Sequence, residues 1–311
     1  MKLSVMMITY NHEQFIAQAI ESVLTQRVNF DYEIVIGEDC STDGTRAIVM
    51  DFHRRYPNRI VPLLRNQNLG VMQNLESTLM ACRGQYLALL EGDDYWICDE
   101  KLQKQIDFLD SKPDCAICCH HVDFLNETGS AYFVPRFPGG SYTIEDLLKG
   151  NFIMTCSTVL RRDLVCELPG WLREMKLGDW PMFVIAARHG TIELMSEVMA
   201  VYRVHQGGTW SSLPKITRLR ESVRMLKALD RHLEFQYTGI ISRLLADSYF
   251  ELACYARKDN NRAETGRNVF SLLRYGGWRH AASRRTLAGL AAYTLMGSWS
   301  KVFSMARHPK A

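Results

Sequence analysis

Apolar and polar positions alternate along this chain with two different periods. Short apolar runs at 3–8, 33–36, 60–64 and 86–90 are separated by amphipathic stretches at 13–26, 45–55 and 71–82. Apolar runs of that length, bounded by turn residues, read as buried strands, and the longer stretches with helical spacing read as helices. Ser41-Thr42-Asp43-Gly44 supplies capping side chains just ahead of the 45–55 helix. A β-α-β-α-β-α-β series predicts a mostly parallel sheet covered by helices on both faces. Ligands on such sheets bind beyond the carboxyl ends of the strands. Thr9-Tyr10-Asn11, the 37–43 segment and Glu91-Gly92-Asp93-Asp94 each follow a strand, so they are expected along one edge.

Further along, 100–109 and 180–188 predict helices, and 115–124, 154–160 and 192–204 predict strands. The Gly- and Pro-bearing stretch 126–141 reads as a loop able to lie over a site. From Pro214 the pattern is helical, in four segments at about 214–234, 237–258, 262–275 and 280–306. The expected division is an α/β domain over 1–211 and a helical region over 212–311.

Charge sharpens that division. Residues 1–211 carry 19 Lys/Arg against 27 Asp/Glu, a net of −8, whereas 212–311 carry 18 against 7, a net of +11. The second region is therefore expected either to face an anionic partner or to be a solvated basic tail. Phospholipid headgroups, a lipid-linked phosphate and nucleic acid all suit that sign, and nucleic acid is not the expected partner. The nine cysteines, Cys40, Cys82, Cys98, Cys115, Cys118, Cys119, Cys156, Cys166 and Cys254, form an odd set without a scaffold pattern. Reduced thiols in a cytoplasmic protein are the expectation. The N-terminal apolar run is cut by Thr9-Tyr10-Asn11-His12-Glu13, too early for a secretory signal, and no apolar run reaches the roughly 18 residues of a spanning helix.

Two acidic segments carry candidate chemistry. Glu91-Gly92-Asp93-Asp94 places three carboxylates within four residues straight after a strand. Such carboxylates repel one another unless a cation or several donors offset them. Mg2+ or Mn2+ prefers oxygen ligands of this kind and stabilises a diphosphate leaving group as its charge grows. The alternative is an acidic turn ahead of the next helix. At Glu38-Asp39-Cys40-Ser41-Thr42-Asp43-Gly44, Asp39 is placed to accept an N–H from a pyrimidine ring, while Ser41 and Asp43 suit turn and capping roles.

Ile8-Thr9-Tyr10-Asn11, Glu38-Asp39-Cys40-Ser41-Thr42-Asp43-Gly44-Thr45, Asn68-Leu69-Gly70 and Glu91-Gly92-Asp93-Asp94-Tyr95-Trp96 together resemble the ordered signature of family 2 glycosyltransferases. The resemblance runs in register to about residue 110 and more weakly to about 210. It implies a single Rossmann-like nucleotide-diphospho-sugar transferase domain with a mostly parallel sheet, inverting chemistry, and Mn2+ or Mg2+ as cofactor. By position, Thr9, Tyr10, Asn11, Asp39 and Asn68 match donor contacts, and Asp93 and Asp94 match the acidic motif that holds ribose and metal. Glu91 stands where many relatives carry Asp. Leu177-Gly178-Asp179-Trp180-Pro181 resembles the acceptor-side motif whose carboxylate acts as general base; Asp179 also suits a helix cap. In similar enzymes a His at the place of His205, in Val201-Tyr202-Arg203-Val204-His205-Gln206-Gly207-Gly208-Thr209, reaches the metal or diphosphate.

Other chemistries lose support. Cys115-Ala116-Ile117-Cys118-Cys119-His120-His121 has no second cluster at finger spacing and no His directly after its second Cys, so it reads as a buried strand. There is neither a Gly-rich dinucleotide fingerprint after the first strand nor a phosphate-loop Lys motif. The expected activity is one sugar transfer per encounter, from a UDP- or dTDP-sugar to a glycan or lipid-linked glycan in cell-envelope polysaccharide synthesis. The expected place is the cytoplasm, peripheral to the membrane, and the oligomeric state stays open. An inactive glycan-binding relative or a nucleotidyltransferase is the alternative. The latter would want a Gly-rich, basic loop after the first strand, which 9–14 does not supply.

Overall fold

The structure is a computed structural model that describes residues 1–126, 128–132, 134, 136–176, 178–208, 213–276, 290 and 293–294. The four apolar runs form β1 (Leu3–Thr9), β2 (Tyr32–Glu38), β3 (Ile60–Leu64) and β4 (Tyr86–Glu91). Between them lie α1 (Ile16–Leu24), α2 (Thr45–Arg55) and α3 (Val71–Ala81). β2 is buried at all seven positions, which requires cover on both faces. Then follow β5 (Tyr95–Trp96), α4 (Lys101–Ser111), β6 (Cys115–Asn126), β7 (Ala131–Tyr132), β8 (Gly140–Tyr142), α5 (Ile144–Lys149), β9 (Val159–Arg161), α6 (Asp179–Ala187) and β10 (Thr191–Val204).

The main sheet runs β3-β2-β1-β4-β9-β6-β10-β5. The first four strands are parallel, and β9 enters antiparallel between β4 and β6. Strand order reverses at β1, with β2 and β3 on one side and β4 on the other, and such a switch point opens a crevice at the carboxyl ends. The register sets Thr9 beside Glu38 and Ile8 beside Glu91, which puts the acidic segments on one edge.

The 154–160 run is a strand only at its end. Thr155–Ser157 is a 3-10 turn. Met154's carbonyl accepts from the Ser157 N–H and hydroxyl and from the Thr158 hydroxyl. Ser and Thr side chains that bond the local backbone compete with a ladder in this way. The 126–141 stretch is not all loop either, since it contains β7 and the start of β8. The Cys115–Asn126 segment is a buried strand at the sheet's centre, and its cysteines are free.

Contacts divide the chain into two units, Met1–Ser212 and Leu213–Ala311. The second holds α7 (Lys215–His232), α8 (Thr238–Lys258) and α9 (Arg262–Arg274). Asn261 caps α9 by accepting the Glu264 N–H. Of the predicted 280–306 helix, all but residues 290, 293 and 294 lie outside the described residues, as do Leu177 and Thr209. Among the described residues no helix is long and apolar enough to cross a membrane.

Candidate functional site

The site begins where β1 stops. Thr9 is buried, and its hydroxyl has no hydrogen-bond partner within the protein. Tyr10 is 42% exposed, so its ring is open to a ligand. Asn11 takes a left-handed backbone (φ 55°), which Asn tolerates. It ties two loops together: its N–H donates to Ser41 Oγ at 3.0 Å, and its Oδ1 accepts the Thr42 N–H at 2.8 Å. Ser41 and Asp43 have the structural roles their residue types suggest. Asp43 accepts the Thr45 N–H at 3.0 Å, at the start of α2, and the Glu13 N–H at 3.1 Å.

At the end of β2, Asp39 is buried, and its carboxylate accepts the Leu69 N–H at 2.8 Å and the Gly70 N–H at 2.9 Å. Asn68 donates to the Asp39 carbonyl at 3.1 Å. The two residues singled out from separate motifs thus meet, and Asp39 anchors the 68–70 loop. A carboxylate has about four lone-pair sites, so two N–H donors leave acceptor capacity.

The end of β4 brings in the acidic segment. Asp93 Oδ2 lies 3.0 Å from His205 Nε2 and 3.7 Å from His12 Nε2. Ligand atoms of His12, Asp93 and His205 all lie within 4.8 Å of one another. Burial opposes the Asp93 charge, but the His205 hydrogen bond and the charges of both histidines outweigh it and hold the carboxyl below its usual range. Burial lowers His12 in turn, against the pull of Asp93. Phe15 packs against this group, its ring centroid 5.0 Å from that of His205 and 6.5 Å from that of His12. Two imidazoles and a carboxylate are a donor set suited to a divalent first-row metal ion.

Sequence reasoning missed His12. The available signal was its place three residues past the strand end, beside Thr9-Tyr10-Asn11. Arg203 was missed as well. Its guanidinium stacks 4.4 Å from the Tyr95 ring and 5.0 Å from the Phe15 ring, and it donates to the Asp93 carbonyl and to Gln18.

Asp94 is not brought into the three-residue group. It is buried, and its Oδ1 accepts the Arg203 N–H at 2.8 Å, which turns that oxygen toward β10. Burial, then the neighbouring Asp93 and Glu91 charges, push its carboxyl well up. The same factors act on Glu91, where burial followed by Asp93 and Asp179 raises the pKa to about 8.

Asp179 is the first residue of α6, and the cap position is Gly178. No side-chain hydrogen bond caps the helix. Burial raises its pKa, offset in part by the backbone N–H groups of Trp180 and Asp179 and by Thr155. One carboxylate oxygen has no partner within the protein. The Asp179 charge helps to raise Glu91, and the Thr155 side chain interacts with both. Asp179 therefore joins the cluster that starts at Glu91 and Asp93.

Residues 4–168 match the family model described as Glycosyl transferase family 2, more than half of the chain. The chain belongs to glycosyltransferase family 2. An uncharacterised protein of Mycobacterium tuberculosis is 39% identical over 213 residues, 68% of this chain and 61% of that protein. The matched region thus spans less than two thirds of the mycobacterial relative. Bacillus subtilis TuaG, named for teichuronic acid biosynthesis, is 26% identical over 78% of this chain and 97% of its own length. Among solved structures, Staphylococcus aureus TarS in complex with UDP-GlcNAc superposes with a TM-score of 0.69 at 17% identity, over 100% of this chain and 93% of that one. That likeness establishes a shared fold.

Proposed function

We propose that this family 2 glycosyltransferase is an inverting, non-processive enzyme that moves a sugar from a nucleoside-diphosphate donor to a hydroxyl of a glycan or lipid-linked glycan. What supports the reading is that Thr9, Asp39 and Asp93 follow strand ends on one sheet edge and that the Asp179 carboxylate lies near enough to Glu91, at that edge, to act on its charge. Tyr10 offers an open face to the donor base, Asp39 keeps acceptor capacity for a base N–H, and Thr9 offers an unpartnered hydroxyl. Asp179 takes the proton of the acceptor hydroxyl as its oxygen attacks the anomeric carbon. The new C–O bond forms as the bond to the diphosphate oxygen breaks, and the diphosphate leaves on the opposite face. Asp93 and His205, with His12, would hold a divalent ion, Mn2+ or Mg2+. When bound, such an ion supplies charge stabilisation to the leaving diphosphate. Similarity to TuaG, named for teichuronic acid biosynthesis, supports a role in envelope polysaccharide synthesis.

Asp179→Asn tests the reading. A general base assists the reaction but does little to hold the donor. The variant should bind sugar nucleotide almost normally by calorimetry while kcat falls by about 10²–10⁴. A fully active Asp179→Asn enzyme would reduce Asp179 to a helix-start residue.

A further inference from the structure

We infer that His12 completes a two-histidine, one-carboxylate metal centre with Asp93 and His205, and that this donor set makes the protein select a first-row transition ion over Mg2+. The inference rests on the metal-holding part of the proposed function and adds which ion the site takes and which residue decides it.

Geometry comes first. Three residues far apart in the sequence, placed by the ends of β1, β4 and β10, bring their ligand atoms within 4.8 Å of one another. The two pairs that share Asp93 Oδ2 are 3.0 and 3.7 Å apart. Metal–ligand bonds of about 2.1 Å place neighbouring ligand atoms about 3 Å apart, so only small side-chain rotations separate this arrangement from a coordination shell. The rings are braced rather than loose. Phe15 packs against both histidines, and His12 Nδ1 faces Gly92, where a Cβ would lie only 3.0 Å away. The nearby guanidinium of Arg203 directs its hydrogen bonds to the Asp93 carbonyl and Gln18.

Composition of the donor set decides the ion. Mg2+ is hard, favours oxygen and dehydrates reluctantly. Imidazole nitrogen favours transition ions, with affinity rising from Mn2+ to Co2+ along the first row. A shell built from the acidic segment alone would have been all oxygen and indifferent to this distinction. Here Asp94 is turned to the Arg203 N–H. The assembled set is therefore two nitrogens and one carboxylate, and His12 is the member that makes nitrogen the majority.

The experiment is metal binding to the full-length protein, without turnover. Mn2+, Co2+ and Mg2+ are titrated by calorimetry, alone and with UDP present, and Mn2+ broadening of the histidine ring resonances is followed by NMR. Mn2+ and Co2+ should bind about tenfold or more tighter than Mg2+, and Mn2+ should broaden the rings of both His12 and His205. His12→Asn, which offers an oxygen in place of the ring nitrogen, should weaken Mn2+ by about tenfold and leave Mg2+ within about threefold. Equal affinity for Mg2+ and Mn2+ overturns the inference. So does an unchanged Mn2+-to-Mg2+ ratio in His12→Asn, or broadening of His205 without His12. The wild-type comparison decides the matter even if the variant does not fold. Absence of binding by every ion, with and without UDP, overturns the metal-holding reading itself and leaves His12–Asp93–His205 a hydrogen-bonded cluster.

Discussion

Gly92 shows how much of the site depends on a side chain that is missing. A Cβ built there would lie 2.5 Å from Thr9 Oγ1 and 3.0 Å from His12 Nδ1. Both atoms are buried and without hydrogen-bond partners within the protein, so the acidic turn packs directly against them. Gly92→Ala must displace them, and overpacking of this kind costs about 1–3 kcal/mol. The expected outcome is a lower melting temperature together with weaker metal and nucleotide binding. Gly150→Ala, at a position with nothing within 4 Å, is the control and should leave binding unchanged. If Gly92→Ala binds ligands like the parent, the close approach of Thr9 and His12 to the acidic turn is functionally idle.

Among the elements, β1, β2 and the turn into β4 are tied at their amino ends by Glu33. Its buried carboxylate accepts the Ser4 hydroxyl at 2.7 Å, the Arg83 N–H at 2.8 Å and the Arg83 Nε–H at 3.0 Å. Ser4 in turn accepts the Gly84 N–H at 2.8 Å. Burial opposes the Glu33 charge, yet the hydrogen bonds from Arg83 and Ser4 win and hold its carboxyl below the usual range. The linkage has a definite sign. The contribution is complete above the unfolded-state carboxyl value and is lost as pH falls through the lower folded-state value. Glu33→Gln should cost about 1–2 kcal/mol at neutral pH in urea unfolding. The Arg83 guanidinium is solvent-exposed, so its charge adds little beyond the hydrogen bonds. The gap between parent and variant should close as the pH is lowered. A gap that stays constant to low pH would mean that shape, not charge, makes Glu33 useful.

At the scale of the whole molecule, the acidic and basic parts of the sequence coincide with two structural units. The second carries the net charge of +11 over 212–311. On α9, Arg262, Arg267 and Arg274 are exposed together with Phe270, which is 70% exposed. Exposed basic side chains beside an apolar one suit the surface of an anionic bilayer, where each contributes about 1 kcal/mol until salt screens it. The full-length protein is therefore expected to bind vesicles containing phosphatidylserine at low salt and to release them as ionic strength rises. Failure to bind such vesicles at low salt would assign the basic surface to an oligomer contact or to solubility.

Local pattern determined most of the elements and one edge of the site. Strand and helix periods are written in neighbouring residues, so β1 to β4 and α2 were legible, and with them the edge that gathers Thr9, Asp39 and Asp93. A carboxyl end is a local property of each strand, and a parallel sheet aligns all of them. Tertiary structure alone decided what faces what across that edge. The antiparallel pairing of β5 with β10 sets Tyr95 opposite Val201, which carries the residues before Tyr95 to those after Val201 and delivers His205 to Asp93 across 112 positions. The same pairing gives one Asp94 oxygen to the Arg203 N–H, apart from the His12–Asp93–His205 group. The register of a short strand against a distant partner depends on which faces become buried, and no window of sequence contains both sides of that bargain. For that reason His12, whose neighbours in sequence only mark a strand end, acquired its chemistry from residues that fold brought to it.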